Sequence, residues 1–523
     1  MSDQNKASFG FSFNIDTRNL TSEGTRSGGS GEDVFSIALL GDFSGRDSRG
    51  LVDADSIGER RFIEIDRYNL DEVIAAMDIR LSLEFDEDTL ELTFGEFDDF
   101  HPDHLYKRVD AFRRLRELRS RLQDNATFTQ AAQELQGWLL PEAEAPESPP
   151  ENDRFDEIDE TALAVKQTPP ATSDDSASLL DSILDETSLQ DAQPDRTASR
   201  QASTLVDDIV RQIVSKRTDV VAAADPRKQD MIAAVDGVIS GLMRDILHHP
   251  KFQALEAGWQ AVRFLVKRVH TGKSIKLYLL DLSRRELEVD LSNDDVTQTQ
   301  LCSLFCDTSM GDIDWSLIIG NYRFGADIDD ILLLSQIGYI AQQAHARFIT
   351  GAHEKLVGCE SFATMPNANR WQAEIDMNVS EAWSMLRQSP VAASLSLALP
   401  RFLLRPPYGL RSKPIKAFVF EEMPDKPVHE HYLWGNAAFL KAEQLARAFR
   451  DQGRDMRPGE AALTEDLPLH YYQEDGETVL KPCAEIPLTE TGARMMIEQG
   501  LIPLWSVKNA DRIHSDDFHS IAL

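Results

Sequence analysis

The chain has 523 residues, which is room for two to four domains, and its 42% hydrophobic and 27% charged content is that of an ordinary globular protein. A formal net charge of −34 argues against nucleic acid and anionic membranes as partners, because both need basic surface. Four cysteines give no disulfide framework and point to a reducing compartment. The start, MSDQNKASFGF, lacks the basic and apolar regions of a signal peptide, and no apolar run approaches the roughly 20 residues of a spanning helix. A cytoplasmic location is expected.

Phe9, Phe11, Phe13 and Ile15 alternate with Gly10, Ser12 and Asn14, the period of a half-buried strand. A Gly/Ser/Thr-rich stretch, Thr21 to Gly31, follows as a flexible tether. A tethered strand can pair with another chain or fold back onto its own domain. Val34 to Leu40 predicts a buried strand, ended by Gly41-Asp42-Phe43-Ser44-Gly45, in which Ser44 is a turn residue. A strand at Phe62 to Asp66 and an Asn-capped helix at Asn69 to Ala76 come next. A hairpin then joins Leu81 to Phe85 with Thr89 to Phe94. Leu105 to Leu122 predicts one long helix with Val109, Phe112, Leu115, Leu118 and Leu122 inward. Arg113, Arg114, Arg116, Arg119 and Arg121 are placed on a solvated or intersubunit face.

Pro141 to about Ser176 is rich in Pro, Glu, Asp and Ser and buries too little to offset the entropy of ordering, so it reads as a disordered acidic linker. Within the polar region lies SLLDSILDETSL, where Leu179, Leu180, Ile183 and Leu184 form an apolar stripe. This short amphipathic helix either docks in a partner's groove or packs back on the body.

Further helices are expected at Leu205 to Val214, Met231 to Leu247, Lys251 to Val269, Asp329 to Thr350 and Asn436 to Arg450. Strands are expected at Ser274 to Asp281, Asp314 to Ile319, Lys416 to Phe420, Val479 to Ile486 and Ile502 to Val507. Cys302 and Cys306 lie i, i+4 on a helix and read as core, since no second pair completes a zinc set. His248-His249 has no third ligand nearby, and His429-Glu430-His431, which could offer two imidazoles, reads as solvated loop residues. LPRFLLRPPYG, Leu399 to Gly409, ends an apolar run at two prolines, and YLWGNAAF, Tyr432 to Phe439, follows about two dozen residues later. Both read as architecture. No Walker loop, GxGxxG, HExxH or triad spacing occurs. No catalytic residue, cofactor or metal is expected. The alternation of strands and helices predicts an α/β fold of α+β layers.

VFSIALLGDFSGR, RFIEIDRYNLDEVIA, LTFGEFDDFHPDHLYKRV and LRELRSRL resemble the small sheath subunit of the bacterial type VI secretion system. LLDSILDETSL, ILHHPKFQALEAGWQAVRFLVKR, SLIIGNYRFG, LPRFLLRPPYG, YLWGNAAF, CAEIPLTE and GLIPLW resemble the large one. The resemblance implies two sheath-type domains with mixed sheets flanked by helices. It implies an N-terminal strand and arm at 1–33, a small-subunit-like domain at 34–140, the linker at 141–177, a docking region at 178–200 and a large-subunit-like domain at 201–523. It also implies a structural protomer that stacks with others into a contractile tube, with an inner-tube protein and a baseplate as further partners. The stretch from Phe9 to Ile15 would be the donated strand. The stripe of Leu179, Leu180, Ile183 and Leu184 would be the handle for a AAA+ recycling unfoldase.

Two departures follow from the same resemblance. The halves are fused, which raises their local concentration to about the millimolar range. The large-subunit likeness stops near Leu504 to Asp511, whereas the usual subunit continues into a domain that contacts its neighbours and the inner tube. A non-propagating cap, adaptor or assembly regulator is therefore the alternative expectation.

Overall fold

The computed structural model describes residues 34–85, 88–139, 228–307, 313–371, 374–456 and 462–523. The strand expected at Phe9 to Ile15, the linker, the stripe of Leu179, Leu180, Ile183 and Leu184, and the helix expected at Leu205 to Val214 lie outside these residues.

The first half gives β1 (Phe35–Gly41), β2 (Ile63–Ile65), α1 (Leu70–Ala76), β3 (Ile79–Phe85), β4 (Asp88–Phe94), α2 (Pro102–Arg108), α3 (Asp110–Gln123) and α4 (Phe128–Leu139). The second half begins with α5 (Lys228–Leu247), α6 (Pro250–Arg268), β5 (Ile275–Asp281), α7 (Arg284–Asp290), α8 (Gln300–Cys306), β6 (Trp315–Phe324), α9 (Ile328–Gln343) and β7 (Arg347–Ala352). It continues through α10 (Met377–Gln388), β8 (Leu395–Leu399), β9 (Phe402–Leu403), β10 (Trp434–Gly435) and α11 (Ala437–Gln452). It closes with β11 (Ala462–Thr464), β12 (His470–Glu474), β13 (Glu477–Lys481), α12 (Glu490–Glu498), β14 (Leu501–Ser506) and β15 (Ile513–Ser515). This is the expected α/β class.

One nine-stranded sheet organises both halves, in the order β11-β15-β14-β8-β7-β6-β1-β5-β2. From β14 to β5 the strands run parallel. β1, from the first half, lies between β5 and β6 of the second, with Ile37 opposite Leu277 on one side and Leu317 on the other. Every residue of β1 is buried, which is why Phe35 to Gly41 reads as a continuous apolar run and not an alternating one. Ile37 and Leu39 face a core with Leu242, Trp259 and Phe439. Ala38 and Leu40 face the opposite core, with Leu287, Ile337 and Trp383. The two halves thus share one sheet and both of its hydrophobic layers.

Side chains of α11 bond the backbone of β11, the edge strand on one side. Gln444 Nε2 donates to the Ala462 carbonyl at 3.2 Å, and an Arg447 Nη2 donates to the Leu463 carbonyl at 2.7 Å. At the opposite edge, Asn69 Nδ2 donates to the Glu64 carbonyl of β2 at 2.9 Å. Both edge strands thus have backbone carbonyls bonded by side chains of neighbouring elements.

Several expected boundaries move. The helix expected from Leu105 to Leu122 breaks at Val109, whose ψ of 126° is extended. The break lets Tyr106 of α2 and Phe112 of α3 both enter the core, 5.7 Å apart. The helix expected to run to Thr350 ends at Gln343, because His345 takes a φ of 54° and Ala346 N closes back on the Ala341 carbonyl at 2.9 Å. That is a helix stop with a left-handed residue, and β7 follows it. Lys416 to Phe420 forms no strand, since Asp103 accepts from Lys416 N at 3.0 Å and from Ala417 N at 2.7 Å. Those donors are thereby lost to any ladder. Asn69 sits at the N-cap of α1, but its Oδ1 accepts from Asp66 N at 2.8 Å and not from the helix.

Candidate functional site

In an open parallel sheet the usual ligand crevice lies outside the carboxyl ends of the strands, where the strand order reverses. Here that point falls between β1 and β6, since the chain goes from β1 to β5 on one side and then to β6 on the other. The turn after β1 fills it. Asp281, at the end of β5, accepts from Phe43 N at 2.7 Å and Ser44 N at 3.1 Å through Oδ1. Its Oδ2 accepts from Ser44 Oγ at 2.7 Å, so the turn serine is a fastener. Trp259 Nε1 donates to the Phe43 carbonyl at 2.8 Å, and the two rings meet edge to face at 5.8 Å. A Cβ on Gly41 would stand 2.9 Å from Asn321 Cβ, so only glycine fits there.

Beside this plug, Glu286 of α7 receives two arginines from the first half. Arg46 donates from Nε at 2.9 Å and from Nη2 at 2.6 Å, and Arg60 donates from Nη2 at 2.6 Å. Ser283 N and Asp53 N donate to it as well, at 3.0 and 3.1 Å. Burial alone would raise the Glu286 pKa, but these donors bring it down to about 2. A depressed carboxylate adds stability above its unfolded value near 4.5, and that stability is lost as pH falls toward 2. Glu286→Gln is therefore expected to cost about 2–3 kcal/mol near pH 7. The gap to wild type should narrow as urea unfolding is repeated at lower pH between 4.5 and 2. A gap that stays constant over that range would show the charge to be immaterial.

A second buried centre sits in LPRFLLRPPYG. Arg405 is 4% exposed and forks between Glu256 of α6 and Glu422, which are 0% and 1% exposed. Its Nε reaches Glu256 Oε1 at 2.7 Å, and its Nη1 reaches Glu422 Oε2 at 2.8 Å. Tyr408 N donates to the same Glu422 oxygen at 2.6 Å, and the Arg405 guanidinium lies 4.4 Å from the Tyr408 ring centre. His101 of the first half packs edge to face on Tyr408 at 5.0 Å. The double proline thus presents one arginine to two carboxylates. Nearby, Glu485 holds Arg401 at 2.5 Å and His429 Nε2 at 3.1 Å. Burial opposes its charge, but Arg401 and His429 hold its pKa well below the carboxylate range.

YLWGNAAF is structural in detail. Tyr432 Oη meets His470 Nδ1 at 2.8 Å, and Trp434 Nε1 donates to the His429 carbonyl at 3.0 Å. Asn436 caps α11 by accepting from Ala438 N at 3.0 Å, while its Nδ2 donates to the Tyr322 carbonyl of β6 at 2.7 Å. His429 and His431, noted in the sequence as a possible imidazole pair, diverge. His429 binds Glu485, whereas His431 stacks on His248 with ring centres 3.8 Å apart. Glu96, Asp99 and His104 come together near α2, but the Arg108 guanidinium pairs with the buried Asp99 carboxylate there.

The acids that join the halves, Asp281 and Glu286, were not singled out from sequence, and neither were Glu256, Glu422 and Glu485. Their main partners lie between 17 and 240 residues away, beyond any local motif. Two local signals were available: an acid inside an apolar helical face, as at Glu256 in FQALEAGWQAV, and the capping-box spacing of Ser283 and Glu286, which marks a helix start but not the arginines. The residues expected to bind partners, Phe9, Phe11, Phe13 and Ile15 with Leu179, Leu180, Ile183 and Leu184, lie outside the described residues. Among the described residues no helix is long and apolar enough to cross a membrane.

A molecule whose sheet is built from two separate stretches of chain, knit by buried ion pairs, has the make-up of a structural building block. Residues 229–521 match the family described as EvpB/VC_A0108, tail sheath N-terminal domain. Residues 28–140 match the family described as Type VI secretion system, VipA, VC_A0107 or Hcp2. The chain belongs to the tail sheath family of the type VI secretion system, with regions of both kinds fused in one polypeptide. It is similar to the type VI secretion system sheath protein TssC1 of Pseudomonas aeruginosa PAO1. The two are 27% identical over 368 residues, covering 68% of this chain and 72% of that one. The protein is a structural sheath component, and membership of the family implies assembly with other sheath subunits.

Proposed function

We propose that the chain is a one-piece sheath protomer that acts in the cytoplasm without catalysis. Copies stack into a helical tube around an inner-tube protein, anchor on a baseplate and contract. The observation that carries this reading is the position of β1. A strand from the small-subunit-like region completes the sheet of the large-subunit-like region, so one polypeptide supplies a whole building unit. Purified protein, alone or with its inner-tube partner, is expected to form helical assemblies in electron micrographs. Monodisperse particles under every condition would sink the proposal.

The tethered strand of Phe9, Phe11, Phe13 and Ile15 is proposed to pair with a neighbouring protomer. The apolar stripe of Leu179, Leu180, Ile183 and Leu184 is proposed as the handle of a AAA+ unfoldase. Leu180→Asp with Leu184→Asp puts two charges on that stripe and is expected to reduce unfoldase capture at least tenfold in a pull-down. The thermal unfolding curve should stay unchanged. Undiminished capture would reject the handle.

A further inference from the structure

Cys302 and Cys306 stand one turn apart on α8, and their sulfurs approach to 3.8 Å. Cys302 is buried at 6% exposure, whereas Cys306 is half-buried and is the last residue of the helix. A direct disulfide fits this pair poorly. Residues one turn apart on a helix hold their Cβ atoms about 5–6 Å apart, whereas a disulfide draws them to about 4 Å, and the two sulfurs would have to close from 3.8 Å to about 2 Å. A bridging ion fits well. Two metal–sulfur bonds of about 2.3 Å meeting at a tetrahedral angle of about 110° place the sulfurs about 3.8 Å apart. The two sulfurs, in thiol–thiol contact, stand at that distance with the helix intact.

We propose that Cys302 and Cys306 form an open two-thiolate site for a tetrahedral, thiophilic divalent cation such as Zn2+, with water completing the shell. Among the described residues no third His, Cys, Asp or Glu atom joins the pair within ligand reach. The ion therefore keeps exchangeable positions and differs from a closed structural zinc. Soft thiolates select this class of ion over the hard cations that an acidic surface attracts. Binding displaces the thiol protons and so strengthens with rising pH.

The location gives the ion a structural effect. Phe305, between the two cysteines, packs edge to face on Phe62 of the first half at 5.2 Å, and Phe62 lies 4.5 Å from Trp315 of β6. An ion bridging residues 302 and 306 would pin the last turn of α8 where it touches that seam.

The test uses the full chain and its Cys306→Ser variant, with Zn2+ followed by isothermal titration calorimetry and Co2+ as a coloured probe of tetrahedral thiolate coordination. The wild type is expected to take one ion per chain with a visible cobalt band. Cys306→Ser should weaken binding at least tenfold and abolish the band. A Cys359→Ala, Cys483→Ala variant, which removes the two other thiols, should bind as wild type does. Cys306 sits at a helix end, so its serine variant is expected to keep the wild-type circular dichroism. Should it unfold instead, Cys306→Ala serves in its place. Absence of a stoichiometric thiolate complex in the wild type, or binding that is indifferent to both Cys306 variants, overturns the assignment.

Discussion

Arg405→Ala should lower the unfolding free energy by about 3–5 kcal/mol at neutral pH, the usual cost of stranding a buried charge by removing its partner. The size follows from the geometry. Arg405 alone forks to both Glu256 and Glu422, and all three are almost wholly buried. The pH dependence separates this cause from simple loss of packing. Burial by itself would raise the Glu422 pKa, but the Arg405 charge and hydrogen bonds, the His248 ring 3.8 Å away and Tyr408 N bring it to about 2. In the wild type, stability from this group is present above about 4.5 and declines as pH falls toward 2. Without the arginine, burial prevails and the folded pKa rises above its unfolded value. The variant then gains stability as pH falls through that raised value, the reverse of the wild-type slope. Denaturant midpoints between pH 4.5 and 8 would therefore converge. Arg405→Lys keeps the charge but not the fork, and should fall between the two. A penalty equal at both ends of that range would refute the ionic account.

Ile37→Asp should take the two halves apart. Ile37 is fully buried in the middle of β1, with Leu277 and Leu317 beside it. The substitution forfeits about 1.5–3 kcal/mol of apolar burial and adds several more for a carboxylate with no partner. The experiment places a protease site in residues 141–177. After cleavage, the wild-type pieces are expected to co-elute one to one, held by the shared sheet and by the Arg46, Arg60 and Glu286 cluster. The Ile37→Asp pieces should separate or precipitate. Tyr68→Ala, at a side chain 77% exposed, is the control that should leave the complex whole. Co-elution of the Ile37→Asp pieces would show that β1 is not what holds the halves together.

The sequence was most informative where a pattern is local. The apolar run of β1 predicted a buried strand to within a residue, and the stripe of Met231, Val235, Val238, Leu242 and Ile246 predicted α5, all five being buried. It failed where tertiary contacts decide. Arg347 to Ala352 continues a helical-looking stretch, and only the left-handed His345 and a parallel place beside β6 make it a strand. Lys416 to Phe420 has strand composition, yet an aspartate more than 300 residues earlier takes its amide protons. The seam shows the same limit. Nothing in VFSIALL states that its neighbours on both sides lie beyond residue 270, and nothing around Glu286 names two arginines some 230 to 240 residues earlier.

The central position of β1 also bears on how the molecule is made. β5 and β6 do not touch each other as neighbours, because β1 separates them. A ribosome must therefore finish Phe324 before the strand it made first, ending at Gly41, has both of its companions. Until then an apolar ribbon waits beside the emerging chain. The sheet nucleates late, through contacts of long sequence separation, and such contacts form slowly. Joining both regions in one polypeptide turns that wait into an intramolecular search, so the rate at which finished bricks appear is independent of their concentration.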